Sequence, residues 1–267
     1  MERDALDVTR LRVALGARFP RIEVVDETGS TNADLLTDVA APTRSVLAAE
    51  FQNAGRGRLE RAWTSAPHAG LTFSVLLRPA APLAAWGWLP LLTGLAVRDA
   101  LVAAGLDDVR LKWPNDVLIG DDERKICGIL AQVRGDAVVI GIGLNVSTTS
   151  DEFGDLTSQA TSLVLGGIEN PDRTALLIAV LAGLDQLVTQ WEAARGDAEA
   201  AGLAATYRAA CSTLGRDVRV LGLDGSETIG MAGEVDSAGH LVLDVDGVRR
   251  TVAAGDVRHA SPLPFDH

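Results

Sequence analysis

The sequence predicts an α+β protein: a mixed, largely antiparallel central sheet with helices, followed by a small C-terminal β-barrel. Three observations carry that expectation. Apolar runs of strand character, Ser45–Gln52, Leu71–Arg78, Lys125–Leu130 and Ala137–Val146, are interleaved with helical patterns at Trp86–Ala104, Asp172–Glu192 and Asp197–Ala210. After Cys211 the pattern changes to five short strands divided by glycine turns, at 217–223, 228–235, 240–245, 248–254 and 256–259. The 267 residues, 47% of them hydrophobic, allow one large domain or an ordinary one plus a small one. The expected division is 1–209 for the body and 210–267 for the β-domain.

A net charge of −12 argues against nucleic acid as a partner, because phosphate backbones need a basic face. Cys127 and Cys211 are the only cysteines, with no Cys-x-x-Cys and no histidine at ligand spacing. Neither a disulfide framework nor a structural zinc is expected. The N-terminus is charged and has no signal-type apolar core, and no run of 18 apolar residues occurs, so a soluble, cytoplasmic protein without a membrane partner is expected.

Along the chain, Leu11 and Leu15 suggest a first helix and Ile22–Val25 a strand. Ser30 or Thr31 fits an N-cap for the helical pattern at Leu35 and Leu36. The same hydroxyls and free first-turn amides could hold a polar head group. The stretch Gly55-Arg56-Gly57-Arg58-Leu59-Glu60-Arg61-Ala62-Trp63 lies between two strands, with Gln52 and Asn53 at its entrance. Three arginines against one glutamate make it cationic, and two glycines make it pliable, which suits an anionic ligand that is covered once bound.

Val109–Lys112 and Val117–Ile119 read as extended pieces on either side of a kink imposed by Pro114, which carries Lys112, Asn115 and Asp116. Residues 120–123 read as a solvated acidic turn, with no metal site assigned. Gly128, Gly141 and Gly143 weaken their strands, which makes sense if a ligand lies against the backbone there. Lys112 and Lys125 are the only lysines among 24 basic residues, and both fall within 110–125. A compact ammonium there points to a contact that a guanidinium fork would not serve.

No Walker A spacing, no G-x-G-x-x-G leading from strand to helix and no nucleophile elbow is present. The remaining constellation has cations and amides but no His or Cys dyad. It suits bringing two anions together, such as a carboxylate and the α-phosphate of a nucleoside triphosphate. The acyl-adenylate so formed hydrolyses readily, which gives a closing loop its use.

The blocks Gln52-Asn53-Ala54-Gly55-Arg56-Gly57-Arg58, Lys112-Trp113-Pro114-Asn115-Asp116, Lys125-Ile126-Cys127-Gly128-Ile129-Leu130 and Gly141-Ile142-Gly143-Leu144-Asn145-Val146, with Ser30-Thr31-Asn32 ahead of them, resemble the signature blocks of biotin–protein ligases. The resemblance runs from about residue 22 to 260. It implies a class II aminoacyl-tRNA synthetase/biotin ligase-like body and an SH3-like C-terminal module. It also implies that biotin and MgATP give biotinyl-5′-AMP, from which biotin passes to a lysine of a biotin carboxyl carrier domain of acyl-CoA carboxylases. Ser30, Thr31 and Gln52 would then hold biotin's ureido head, with Asn32, Gly55, Gly128 and Gly143 also in the biotin site. Arg56, Gly57 and Arg58 would close over carboxylate and phosphate, and Lys125 would contact the carboxylate or bridging phosphate. Trp63, Lys112 and Arg61 would serve the nucleotide, Asn115 and Asn145 would hold nucleotide and metal, and Asp116 would orient or deprotonate the acceptor lysine. Arg56, Lys125 and Asp116 form the implied catalytic set.

Two departures stand out. The family pattern G-R-G-R-x-G-R-x-W has glycine where this chain has Glu60, so Glu60 is expected to pair with a loop arginine when the site is empty. Only 29 residues precede Ser30, too few for the winged helix-turn-helix of repressor members, so no specific DNA binding is expected. A lipoate–protein ligase and a non-catalytic biotin sensor are the competing readings.

Overall fold

The computed structural model describes residues 3–222 and 225–259, and only the backbone of Glu60. The larger of its two sheets contains β1 (Arg21–Thr28), β2 (Ser45–Gln52), β3 (Gly70–Leu77), β4 (Val109–Lys112), β5 (Asp116–Ile119), β6 (Arg124–Arg134) and β7 (Ala137–Asn145), in the order β1-β2-β3-β7-β6-β5-β4. Only β1 and β2 pair in parallel. A parallel pair needs a crossover, and this one carries α2 (Thr31–Thr37), capped by Ser30.

Side chains alternate between the faces of a strand, and the two faces of this sheet differ. Leu71, Phe73 and Val75 of β3, with Ile140, Ile142 and Leu144 of β7, enter the main core. There they meet α1 (Val8–Leu15), α3 (Trp88–Ala103) and the long α5 (Arg173–Ala193). α5 has the length and mean hydropathy, 1.3, of a membrane span. Its Leu177, Val180, Leu181, Leu184 and Trp191 are buried, however, so the apolar stretch is that of a core helix. On the opposite face a smaller core of Leu47, Leu76 and Val139 lies under Leu35 of α2. Beside it the face turns small and polar: Thr72 pairs with Gly143 and Gly143 with Gly128, while Ser74 pairs with Gly141 and Gly141 with Leu130.

A short α4 (Ser150–Phe153) follows β7, and α6 (Leu203–Ala210) leads to the second sheet. That sheet comprises β8 (Asp217–Leu221), β9 (Glu227–Val235), β10 (Leu241–Val245), β11 (Val248–Val252) and β12 (Asp256–His259), all antiparallel, in the order β11-β10-β9-β8-β12. The expected small C-terminal β-domain is this antiparallel sheet, with β11 and β12 at the two ends of its strand order. Leu223, the expected end of β8, lies outside the described residues. The sheet is fastened to the body by Trp88 Nε1, which donates to Asp236 O at 3.1 Å, and by Trp113 Nε1, which donates to Gly239 O at 3.0 Å. Gly239 has φ +85, and a Cβ there would stand 2.6 Å from the Gly87 carbonyl carbon, so glycine is needed for this approach.

Three expectations are corrected. The helix expected over Asp197–Ala210 begins only at Leu203, because Gly202 takes φ +73 and breaks the helical path. Lys112 pairs directly with Asp116, so 113–115 form the turn of a tight hairpin rather than a kink between extended pieces. The acidic turn is not simply solvated. Glu123 accepts from both terminal nitrogens of Arg216, at 2.7 and 2.9 Å, and lies 3.1 Å from His259 Nδ1, which ties β5–β6 to the second sheet.

Candidate active site

Two adjoining cavities lie where the polar sheet face meets the arginine stretch. The narrow one holds about 60 Å³ and the wide one about 1060 Å³. Ser30, Thr31, Asn32, Gln52, Arg56, Gly128 and Gly143 line the narrow cavity. Arg61, Lys112, Asp116 and Asn145 line the wide one. Gly57, Arg58, Trp63, Asn115 and Lys125 form the wall between them and face both. Arg56 and Lys125 therefore share one cavity, and Lys125 and Asn145 the other. Gly55 lines neither. It packs inside the loop, where a Cβ would be 2.5 Å from Trp63 O.

The inner end of the narrow cavity is a connected polar network. The Thr31 amide donates to Gln52 Oε1 at 2.8 Å, and Thr31 Oγ1 lies 2.7 Å from Ser74 Oγ. Ser74 Oγ donates to Asn32 Oδ1 at 2.6 Å, and Asn32 Nδ2 donates to Gln132 Oε1 at 2.8 Å. Thr31, Asn32 and Ser74 are buried, so each bond fixes an orientation that water would otherwise scramble. Ser30 caps α2 and sits at the rim.

The arginine stretch is an ordered turn. Trp63 N donates to Gly55 O at 2.9 Å and Gly57 N to Arg61 O at 2.7 Å, and Arg56 bridges Ala62. Leu59, not Glu60, takes the left-handed conformation, with φ 55. The Glu60 side chain, and with it the expected arginine pairing, lies outside the described residues. Arg61 pairs with Asp256 at 2.6 Å.

Protein side chains also use the room these glycines leave. The Trp63 indole lies 2.3 Å from where a Gly143 Cβ would be, the end of Lys125 and the indole lie 3.0 and 3.2 Å from that of Gly128, and the Asn32 amide lies 2.4 Å from that of Gly141. The flat sheet floor accommodates a protein ring, which leaves little free space beneath the loop.

The cations converge on the dividing wall. Lys125 Nζ is 2.5 Å from Asp116 Oδ1 and 5.8 Å from the Trp63 ring centroid. Arg58 Nη1 donates to Asn115 Oδ1 at 3.1 Å, and Asn115 Nδ2 donates to Ile129 O at 3.0 Å. Burial lowers the Arg58 guanidinium, and the Asp116 and Asp256 charges oppose that shift. A partly desolvated arginine interacts strongly with an anion. Cys127 is buried, which pushes its thiol up and makes it a poor nucleophile. Asn145 donates from Nδ2 to Thr161 O at 3.0 Å and forms part of the far wall.

Sequence reasoning missed Thr72, Ser74, Gln132 and Asp256. For the first two a signal existed: polar residues at alternate positions of an otherwise apolar strand, GLTFSVLL. Nothing in the sequence marks Gln132 or Asp256.

Comparison with known proteins gives this geometry its context. A family model described as "Biotin/lipoate A/B protein ligase family" matches residues 22–145. The biotin–[acetyl-CoA-carboxylase] ligase of Mycobacterium tuberculosis is 41% identical, over 96% of this chain and 97% of that protein. Among solved structures, the Aquifex aeolicus biotin protein ligase in complex with biotin and ATP superposes with TM-score 0.76 and 26% identity, covering 91% of this chain and all of the other. The Leishmania major biotin protein ligase in complex with biotinyl-5-AMP matches with TM-score 0.58 and 25% identity, over 91% of this chain and 99% of the other. By its near-full-length identity to a named ligase and by its fold, this chain belongs to the biotin–protein ligase family.

Proposed function

We propose that the protein activates biotin with MgATP to biotinyl-5′-AMP and then transfers the biotinyl group to a lysine of a biotin carboxyl carrier domain of an acyl-CoA carboxylase. The observation that carries this reading is the shared wall: Arg58, Asn115, Lys125 and Trp63 face a narrow polar cavity on one side and a wide one on the other. A vitamin held in the first and a nucleotide in the second would meet at that wall.

The polar network of Thr31, Gln52, Ser74 and Asn32 offers donors and acceptors to the ureido head of biotin. Arg56, Arg58 and Lys125 offset the repulsion between its carboxylate and the α-phosphate. Lys112, Asn115, Asn145 and Arg61 serve the nucleotide. Mg²⁺ typically binds through substrate phosphates and one or two protein oxygens, and among the described residues no His/Cys/Asp/Glu cluster forms a dedicated cage. The amide oxygens of Asn115 and Asn145 fit that modest demand, and the metal would supply charge neutralisation to the triphosphate. Asp116, beside Lys125, stands where the acceptor lysine must arrive and would take its proton. In this reading residues 1–209 are the catalytic body and 210–267 the SH3-like module. The reaction runs in the cytoplasm, and no DNA is bound.

Pyrophosphate release tests the reading. Release with ATP that requires biotin supports it, release that requires lipoate assigns a lipoate ligase, and no release with either leaves a biotin sensor. Transfer to a carrier domain then tests the second step. Gly143→Ala is expected to lower biotin affinity at least about tenfold by calorimetry, because the new methyl group would stand on the floor where the ligand is to lie against the backbone. Unchanged affinity would mean that biotin does not lie on that floor.

A further inference from the structure

Arg61 reaches across from the loop to the second sheet. Its Nη2 lies 2.6 Å from Asp256 Oδ2 and its Nη1 3.4 Å from Oδ1, a forked pair between the loop and β12. We propose that Asp256 is a positioning residue that holds the 55–63 loop closed through Arg61, so that the C-terminal sheet shapes the biotin site before any ligand arrives. What the closed loop covers rests on the biotin-ligase reading, but the latch itself does not.

The geometry supports this in three ways. Asp256 is a fixed anchor, because β12 also carries His259, 3.1 Å from Glu123, and β8 pairs with it along its length. Arg61 is a sensitive point to hold, because its carbonyl accepts the Gly57 amide at 2.7 Å. Fixing residue 61 therefore fixes Gly57 opposite it, and beside Gly57 the Arg58 guanidinium reaches Asn115. Finally, the carboxylate is kept charged. Burial alone would raise Asp256, but the Arg61 hydrogen bond and the Lys112 and Arg258 charges outweigh it and leave it below the usual range. Asp256 touches no reacting atom in this account; it acts through Arg61.

Arg61 is 60% exposed, so the latch is modest and salt-sensitive. The test is limited trypsin digestion of the full, ligand-free chain, with fragments assigned by mass. Asp256→Asn is expected to speed cleavage after Arg56 and Arg58 by roughly two- to fivefold. Asp256→Glu should stay near the wild-type rate, and high salt should bring wild type toward the Asn variant. Cleavage after Arg134 and Arg195 should not change. Equal loop cleavage in wild type and Asp256→Asn would overturn the proposal, and so would equal acceleration at all four sites, which is the mark of global loosening. Biotin dissociation, measured alongside, is expected to quicken in step with loop cleavage. A wild-type protein that binds no biotin would sink the functional reading, while the ligand-free digestion still decides the latch.

Discussion

Lys125→Ala is expected to slow biotin-dependent pyrophosphate release by at least about tenfold, or about 1.4 kcal/mol of barrier, with the fold intact. The ammonium stands on the wall between the two cavities, 2.5 Å from Asp116 and over the Trp63 ring. It is the compact cation nearest to where a carboxylate and a phosphate would meet, and it is one of two lysines in a chain that otherwise uses arginine. Lys125→Arg is expected to be no better. The end of the lysine side chain lies against the Gly128 backbone, between Asp116 and the Trp63 ring, so a broader planar guanidinium would have to leave that position. Steady-state rates, with thermal melts as the folding control, check both variants. Wild-type turnover in Lys125→Ala would remove the mechanism, and full activity in Lys125→Arg would remove the argument from shape.

The second large effect is on stability. On the main-core face of β2, Glu50 pairs with Arg173 of α5 at 2.7 Å, with side chains only 3% and 7% exposed. Glu50 Oε1 also accepts the Leu6 amide at 2.6 Å, and Arg173 donates to Gly70 O at 2.9 Å and to Asp4 O. The pair thus joins the N-terminal segment, β2, β3 and α5. Arg173→Ala takes the guanidinium from a buried carboxylate, leaving it the Leu6 amide and the His68 ring 3.2 Å away, and is expected to cost about 3–5 kcal/mol. For a chain of this size that lowers the melting temperature by roughly 6–20 °C. The double variant Arg173→Met/Glu50→Leu is expected to recover most of the loss, because no buried charge is then left alone. Calorimetric melts of the single and double variants check this. A single variant that melts within about 2 °C of wild type would show that the pair is solvated in solution.

Much of this architecture was legible in the sequence for physical reasons that can be named. β2 and β3 read as strands because each is a continuous run with both faces covered, and α5 reads as a helix because Asp172 caps an apolar stretch of several turns. The loop, the lysines and Asn115 were legible because cations and amides are costly to place together without a ligand or partner. The rest depended on tertiary contacts. Trp63 fills the space above Gly143 only because a loop from β2 folds back over β7, which no local pattern encodes. Asp256 is nearly two hundred residues from Arg61, and one acid among 36 acidic residues carries no mark of its partner. Gly202 looked like a tolerated helix residue because its left-handed φ appears only once the turn after α5 is built.

The most direct test of the central claim, that cations from separate strands converge where a vitamin's acid meets a nucleotide, is a crystal structure with a non-hydrolysable biotinyl-adenylate analogue. The account predicts the linking phosphate or its surrogate at hydrogen-bond distance, about 2.7–3.2 Å, from Lys125 Nζ and an arginine of the 56–58 stretch. The fused rings should lie over Thr72, Ser74 and Gly141, and the Trp63 indole should move off Gly143. An analogue bound with its linking group in solvent, beyond the reach of Lys125, Arg56 and Arg58, would contradict it.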